Sequence, residues 1–321
     1  MRFGPTVHYT KRITLKPHMV SSLDSFQINF SEDQMQLMNI CLAFLMFGVA
    51  LDMKLADFRR IALFPKSVLV GLASQWILLP VLTVYLIHVW DPLPSIALGL
   101  LLVAACPGGN ISNYATHLSK GNAALSVTLT SFVTLSSIIA TPMAFAGFSL
   151  FVPQVRPLLE AIELSPWKML SILLQLVLLP MIAGMLFNHY LPMLTLKIKK
   201  PVARISLLIF ISFIIFAIYG DFGNLVNYIS YVFALVIIHN LIAMVSGYYW
   251  AKWNRLPEAD ARAVSMETGI QNSGLGMVLI FNFFPMLGGM MLVTAFWAIW
   301  DLVSSFVIAL YWRSKTGDRI I

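Results

Sequence analysis

The sequence predicts an all-α integral membrane protein of about nine transmembrane helices. Three observations predict it. Hydrophobic residues make up 59% of the 321 residues and charged residues only 11%, with a mean hydropathy of +0.82, far outside the range of a soluble domain. Apolar runs of roughly 20 residues recur from Gln34 to the C-terminus, each long enough to cross a hydrocarbon core as a helix. Lys and Arg gather in alternate loops. The short alternating strands of a β-barrel do not occur in the pattern.

The spans fall at 34–53, 67–88, 94–119, 123–150, 166–188, 203–219, 226–250, 260–283 and 288–312. They divide the chain into a polar N-terminal tail (1–33), a first repeat (34–150), a second part (166–312) and a C-terminal tail (313–321). Lys54, Arg59, Arg60 and Lys66 follow the first span, Lys120 the third, and Lys197, Lys199, Lys200 and Arg204 the fifth. Lys252, Arg255 and Arg262 follow the seventh, and Arg313, Lys315 and Arg319 the last. The opposite loops hold Arg156 and Lys168. The positive-inside rule then puts the C-terminus in the cytoplasm and, with an odd number of spans, the N-terminus outside. The net charge of +7 is a topology signal. It does not indicate nucleic-acid binding, because no basic run carries interleaved aromatics. The tail disagrees: Arg2, Lys11, Arg12 and Lys16 are awkward outside the cell, and there is no apolar core for a signal peptide. Either the tail is tolerated or translation starts at Met19. Cys41 and Cys106 lie in spans and read as buried thiols.

Of 14 acids, only Glu267 and Asp301 fall well inside spans. An acid at the centre of a membrane helix costs roughly 2.5–3.5 kcal/mol on insertion scales, so something must compensate it. Glu267 lies in "AVSMETGIQNSGLG", where Gln271, Asn272 and Ser273 follow it and Gly269, Gly274 and Gly276 bracket them. A helix interrupted here exposes backbone carbonyls, which are ligands for a hard cation. The first half has a counterpart in "CPGGNISNYATHLSKGNAALSVTLTS". Pro107 lacks an N–H, Gly108 and Gly109 lower helix preference, and Asn110 or Ser112 can cap a new half-helix whose free N–H groups favour an anion. Pro-Gly-Gly alone reads equally as a kink, and a lone acid as an interhelical hydrogen bond. Two interrupted polar spans, one per half, point instead to a secondary-transporter site with inverted repeats.

At these residues the chain resembles the bile acid:sodium symporter family. "CPGGNISN" and "VSMETGIQNSG" are similar to its most specific motifs, and "SQWILLP" and "HNLIAMVSGYYWAKW" also fit, so the likeness runs from about Gln34 to Trp312. Bacterial relatives often have ten spans; the layout here is similar to the nine-span animal carriers. The resemblance implies two inverted-topology repeats and a core domain with two crossing discontinuous helices (second to fourth and seventh to ninth spans). It also implies a panel domain formed by the first, fifth and sixth. It implies two Na+ ions. Ser112, Asn113, Ser126, Thr130 and Glu267 match the first site. Gln75, Glu267, Thr268, Ile270 and Gln271 match the second, Thr268 and Ile270 acting through their carbonyls. Two such ions and one carboxylate leave about +1, attractive to a monoanion near helix ends.

For the substrate, Asn110 and Asn272 are the polar contacts the resemblance suggests. Some bacterial members carry His-Asn where this chain has Asp301-Leu302. Asp301 therefore stays open between a hydrogen-bonding group, a protonated acid, a further cation site and a packed structural acid. His239 beside Asn240 reads as an interhelical hydrogen bond rather than a metal ligand. No nucleophile–base pair suggests an enzyme. The expectation is a sodium-coupled importer of an organic anion, bile-acid-like or a small metabolite acid, in the cell (inner) membrane, with the lipid bilayer as its surroundings and no nucleic-acid partner. The alternatives are a proton-coupled organic acid carrier using Asp301 and a membrane ligand sensor that moves nothing.

Overall fold

A computed structural model describes residues 32–51, 53, 65–162, 166–219, 222–285 and 287–315. The tail before residue 32, the first basic loop with Lys54, Arg59 and Arg60, and the end with Arg319 lie outside the described residues. The all-α, multi-pass expectation holds. Helices α1 (Glu32–Ala50), α2 (Pro65–Ala73) and α3 (Leu79–Trp90) come first, followed by α4 (Pro94–Ala105), α5 (Ile111–Leu118) and α6 (Ala123–Ser149). A short α7 (Arg156–Ala161) precedes α8 (Pro166–Leu173), α9 (Leu179–Tyr190), α10 (Pro192–Tyr219) and α11 (Phe222–Trp253). The chain ends in α12 (Glu258–Gly269), α13 (Ser273–Phe283) and α14 (Gly288–Lys315). Among the described residues, five stretches are long and apolar enough to cross a membrane: Pro65–Trp90, Ala123–Ser149, Leu170–Tyr190, Val232–Trp253 and Gly288–Lys315.

Two details depart from the expected spans. α10 begins at Pro192, not near 203, and runs through Pro201. A proline removes one N–H and need not end a helix whose neighbours support it, and exposed Lys197 and Lys200 suit a helix surface as well as a loop. Secondly, Ser74–Leu78 and Leu174–Leu178 are single π-helical turns joining α2 to α3 and α8 to α9. Each is followed by Leu-Pro, and the widened turn accommodates the missing proline N–H.

Two helices are broken. α4 and α5 are separated at 106–110, and α12 and α13 at 270–272. α4 and α5 have 12 and 8 residues, α12 and α13 have 12 and 11. At 1.5 Å per residue each pair spans about 30 Å or slightly more, so each break falls near half depth of a bilayer. Irregular backbone is tolerated there only inside protein. Both breaks meet this condition, with Cys106 to Gly109, Ile270 and Gln271 buried, and the adjoining α4 and α13 lie within the main apolar core that also takes in Met290–Val293 and Trp297 of α14.

α12 is the polar exception, and its polar groups other than Glu267 are satisfied one by one. Asp260 accepts from Ser67 (2.5 Å) and from Asn122 (2.8 Å), whose own Oδ1 caps α6 through the Leu125 N–H. Arg262 donates to the Ser119 carbonyl (2.7 Å) and pairs with Glu258 (3.1 Å). Burial pushes the Glu258 carboxyl up, but hydrogen bonds from Arg262, Tyr248 and Lys252 outweigh it and hold the group below its ordinary range. Ser265 donates to the Met244 carbonyl and Thr268 to that of Val264, each at 2.7 Å. These bonds let a charged helix stand in the centre of the molecule and carry Glu267 to the crossing.

Candidate functional site

The breaks cross and pair with each other. Gly108 and Gln271 form an isolated antiparallel bridge: the Gly109 N–H donates to the Ile270 carbonyl (3.0 Å) and the Asn272 N–H to the Pro107 carbonyl (2.8 Å). Backbone groups freed by each interruption are thereby satisfied by the other. Asn272 caps α13 through the Leu275 N–H (3.0 Å). Asn110 occupies the equivalent position of α5 but makes no side-chain cap bond, and Ser112 turns to Glu267 instead, so the expected capping of the first break by either residue is corrected.

Glu267 is fully buried. Its Oε1 lies within hydrogen-bond reach of Ser112 Oγ, of Ser126 Oγ (2.5 Å) and of Thr130 Oγ1 (2.8 Å). Asn113 Oδ1 is also in reach of Ser126 Oγ (2.9 Å) and Thr130 Oγ1 (3.2 Å). Each hydroxyl has one proton, yet those of Ser126 and Thr130 face several acceptors at once. Such crowding of oxygens with too few protons is what a cation resolves. The five residues expected at the first cation site thus come together, α5 and α6 supplying four of them and α12 the acid.

The second expected set sits on the other side of the same carboxylate. Glu267 Oε2 and Gln271 Oε1 are buried without a hydrogen bond of ordinary length, and the Gln75 side chain faces the Glu267 carboxylate. Gln75 Oε1 accepts from the Gly108 N–H (3.2 Å), and the Thr268 carbonyl accepts from Gln271 Nε2 (2.8 Å). Buried oxygens left without a close donor are costly unless a ligand satisfies them. A Cβ on Gly108 would stand 2.8 Å from Glu267 Oε2 and 3.2 Å from the Glu267 carbonyl, so glycine keeps this space open. The donors are one carboxylate with hydroxyls, amides and carbonyls. This weakly charged, all-oxygen set suits a hard monovalent cation. The Gln75 side chain reaches the crossing because the π turn Ser74–Leu78 carries it.

Sequence reasoning missed several contributors. Ser74 Oγ sits 2.7 Å from Thr268 Oγ1 and ties the π turn to α12. Asn240 donates to the Gly269 carbonyl (2.7 Å), bracing the end of α12. His239 Nε2 meets Thr83 Oγ1 at 2.6 Å, the interhelical bond expected of it. The signal for the π turns was legible: the Gln-x-x-Leu-Leu-Pro spacing of 75–80 recurs at 175–180.

A cavity of about 300 Å³ opens beside the crossing. Asn110, Asn272 and Asp301, the three expected substrate residues, all line it. Leu45 and Val49 of α1 form an apolar wall, and Ser273 also reaches it.

The profile of the Sodium Bile acid symporter family matches residues 39–228. The chain is 30% identical over 280 residues to an uncharacterized sodium-dependent transporter, YocS, of Bacillus subtilis, covering 87% of this chain and 84% of the relative. It is 29% identical over 303 residues to the probable chloroplastic sodium/metabolite cotransporter BASS2 of Oryza sativa (94% and 67% covered). It is 30% identical over 240 residues to the probable chloroplastic BASS1 cotransporter of Arabidopsis thaliana (74% and 57%). The chain belongs to the sodium bile acid symporter family, and is a membrane transport protein rather than an enzyme.

Proposed function

Taking family membership as the premise, we propose that this chain is a sodium-coupled symporter that imports an organic anion across the cell membrane by alternating access. One observation carries the reading: one oxygen of a buried carboxylate meets a crowd of hydroxyls, and its other oxygen has no hydrogen bond of ordinary length. Ser112, Asn113, Ser126, Thr130 and Glu267 hold one sodium ion. Gln75, Glu267, Gln271 and the carbonyls of Thr268 and Ile270 hold a second. The relatives named above as sodium-dependent transporters and sodium/metabolite cotransporters support the choice of ion. The cations supply the charge that makes Glu267 tolerable in the membrane; the protein's part is to gather oxygens from two crossing helices so that binding fastens them together.

The anion seats in the cavity against the starts of α5 and α13, where N–H groups favour negative charge. Asn110 and Asn272 flank it. A volume of about 300 Å³ is at the small end for ligand pockets and favours a small metabolite acid over a steroid-sized one. α2 to α6 and α11 to α14 form the core of two inverted repeats, and α1 with α8 to α10 the panel. The N-terminus lies outside and the C-terminus in the cytoplasm.

Asp301 in the same cavity keeps a proton-coupled carrier as the second reading. Uptake into vesicles under separate sodium and proton gradients tests both. Uptake driven by sodium alone is expected; uptake that follows only the proton gradient, or binding without uptake, would overturn the symporter reading.

A further inference from the structure

Asp301 is not part of the cation cluster, yet it lies where the substrate should sit. The residue is 3% exposed, borders the cavity from α14 and receives the backbone N–H groups of Leu302 and Gln271. Among the described residues no ion pair holds it. A buried acid without a cationic partner asks for one from whatever fills the space beside it.

Charge decides what that is. Two sodium ions and Glu267 sum to about +1, and Asp301 can carry a charge of its own only where a cation stands beside it. A simple monoanion brings none, and in a cavity of about 300 Å³ its carboxylate cannot stand far from Asp301. A solute with a positive group as well satisfies both ends. Its carboxylate has the N–H groups at the start of α5 and Ser273 Oγ, a hydroxyl on a side chain 6% exposed that has no hydrogen-bond partner and belongs to the cavity wall. Its nitrogen has Asp301. Leu45, Val49 and Ala298 accept a short aliphatic skeleton.

We propose that the substrate is a small, net-neutral zwitterion, a carboxylate and an ammonium group on an aliphatic skeleton as in an α-amino acid, with Asp301 as the residue that selects it. This rests on the sodium-symport reading and redefines the anion as one end of the solute.

The test uses the full-length protein in detergent and in vesicles. Thermal stability is measured at saturating sodium with leucine and valine, and with their des-amino counterparts 4-methylpentanoate and 3-methylbutanoate. The amino acids should stabilise the protein in a sodium-dependent way, with at least tenfold higher affinity than the des-amino acids. Asp301→Asn should lower amino acid affinity at least tenfold and erase or reverse the preference, while the shift given by sodium alone persists as evidence that the variant is folded. If Asp301→Asn does not fold, the preference of the unmutated protein decides alone. Equal or tighter binding of the des-amino acids would overturn the proposal. So would the lack of any sodium-dependent shift from both amino acids, or uptake of the des-amino acids together with a proton. Sodium giving no stabilisation by itself would be a different failure, that of the symport reading.

Discussion

The two helix breaks do the same job by different means. The first spans 106–110 and is written into the covalent chain: Pro107 has no N–H to give, and two glycines follow. Its half-helix α5 starts without a side-chain cap. The second spans only 270–272 and contains no proline. It is held by side chains instead, with Asn272 capping α13, Gln271 on the Thr268 carbonyl and Asn240 on the Gly269 carbonyl. The first break is made by residue type and held from outside, by Gln75 on the Gly108 N–H and Ile270 on the Gly109 N–H, whereas the second is held largely by its own side chains. The Gly108–Gln271 bridge joins the two.

Four predictions sharpen that comparison. Glu267 serves both breaks, so Glu267→Gln should abolish sodium-dependent stabilisation altogether; thermal melting with and without sodium reads it, and an unchanged sodium response sinks the two-site assignment. Gly108→Ala places a methyl 2.8 Å from Glu267 Oε2. It should weaken sodium binding by at least about tenfold, or ~1.4 kcal/mol, and an alanine variant with normal sodium affinity would show that the space is not used.

Asn113→Ala removes an oxygen that Ser126 and Thr130 both approach. We expect roughly tenfold weaker sodium binding and, by linkage, weaker substrate binding at fixed sodium. Asn110→Ala should weaken substrate binding and leave sodium binding without substrate nearly unchanged. Paired titrations of each variant decide, and identical behaviour of the two would erase the distinction between ion ligand and cavity wall. The smallest effect concerns the caps. Asn272→Ala should cost about 1 kcal/mol of stability, whereas Asn110→Ala, which loses no cap, should cost less than about 0.5 kcal/mol in the same denaturation series.

Much of this was legible in the residues. A lone pair of intramembrane acids, a Pro-Gly-Gly and a polar run flanked by glycines located both breaks, because few sequences place such costly groups in apolar spans without a use. Ser112, Asn113, Ser126 and Thr130 came together as the family resemblance implied. Other features were hidden. Nothing local in Gly108 says that a carboxylate oxygen from position 267 lies against it, since that proximity arises only from the crossing. Residue type alone points to Asn110 as a cap, whereas the break is satisfied across the chain by Ile270. α10 was shortened in the reading because Lys-rich sequence and Pro201 look like a loop when the neighbouring helix α1 is not in view.

The bridge between the breaks also has a consequence for biogenesis. The Pro107 carbonyl and the Gly109 N–H take their partners from Asn272 and Ile270, more than half the chain away. Insertion of the first half precedes synthesis of the second, so for that interval the interrupted helix sits in the bilayer with its polar backbone unanswered. Pairing of such distant segments is slow, and the crossing closes last. Until it does, the Pro107 carbonyl and the Gly109 N–H are without the partners that the second half brings.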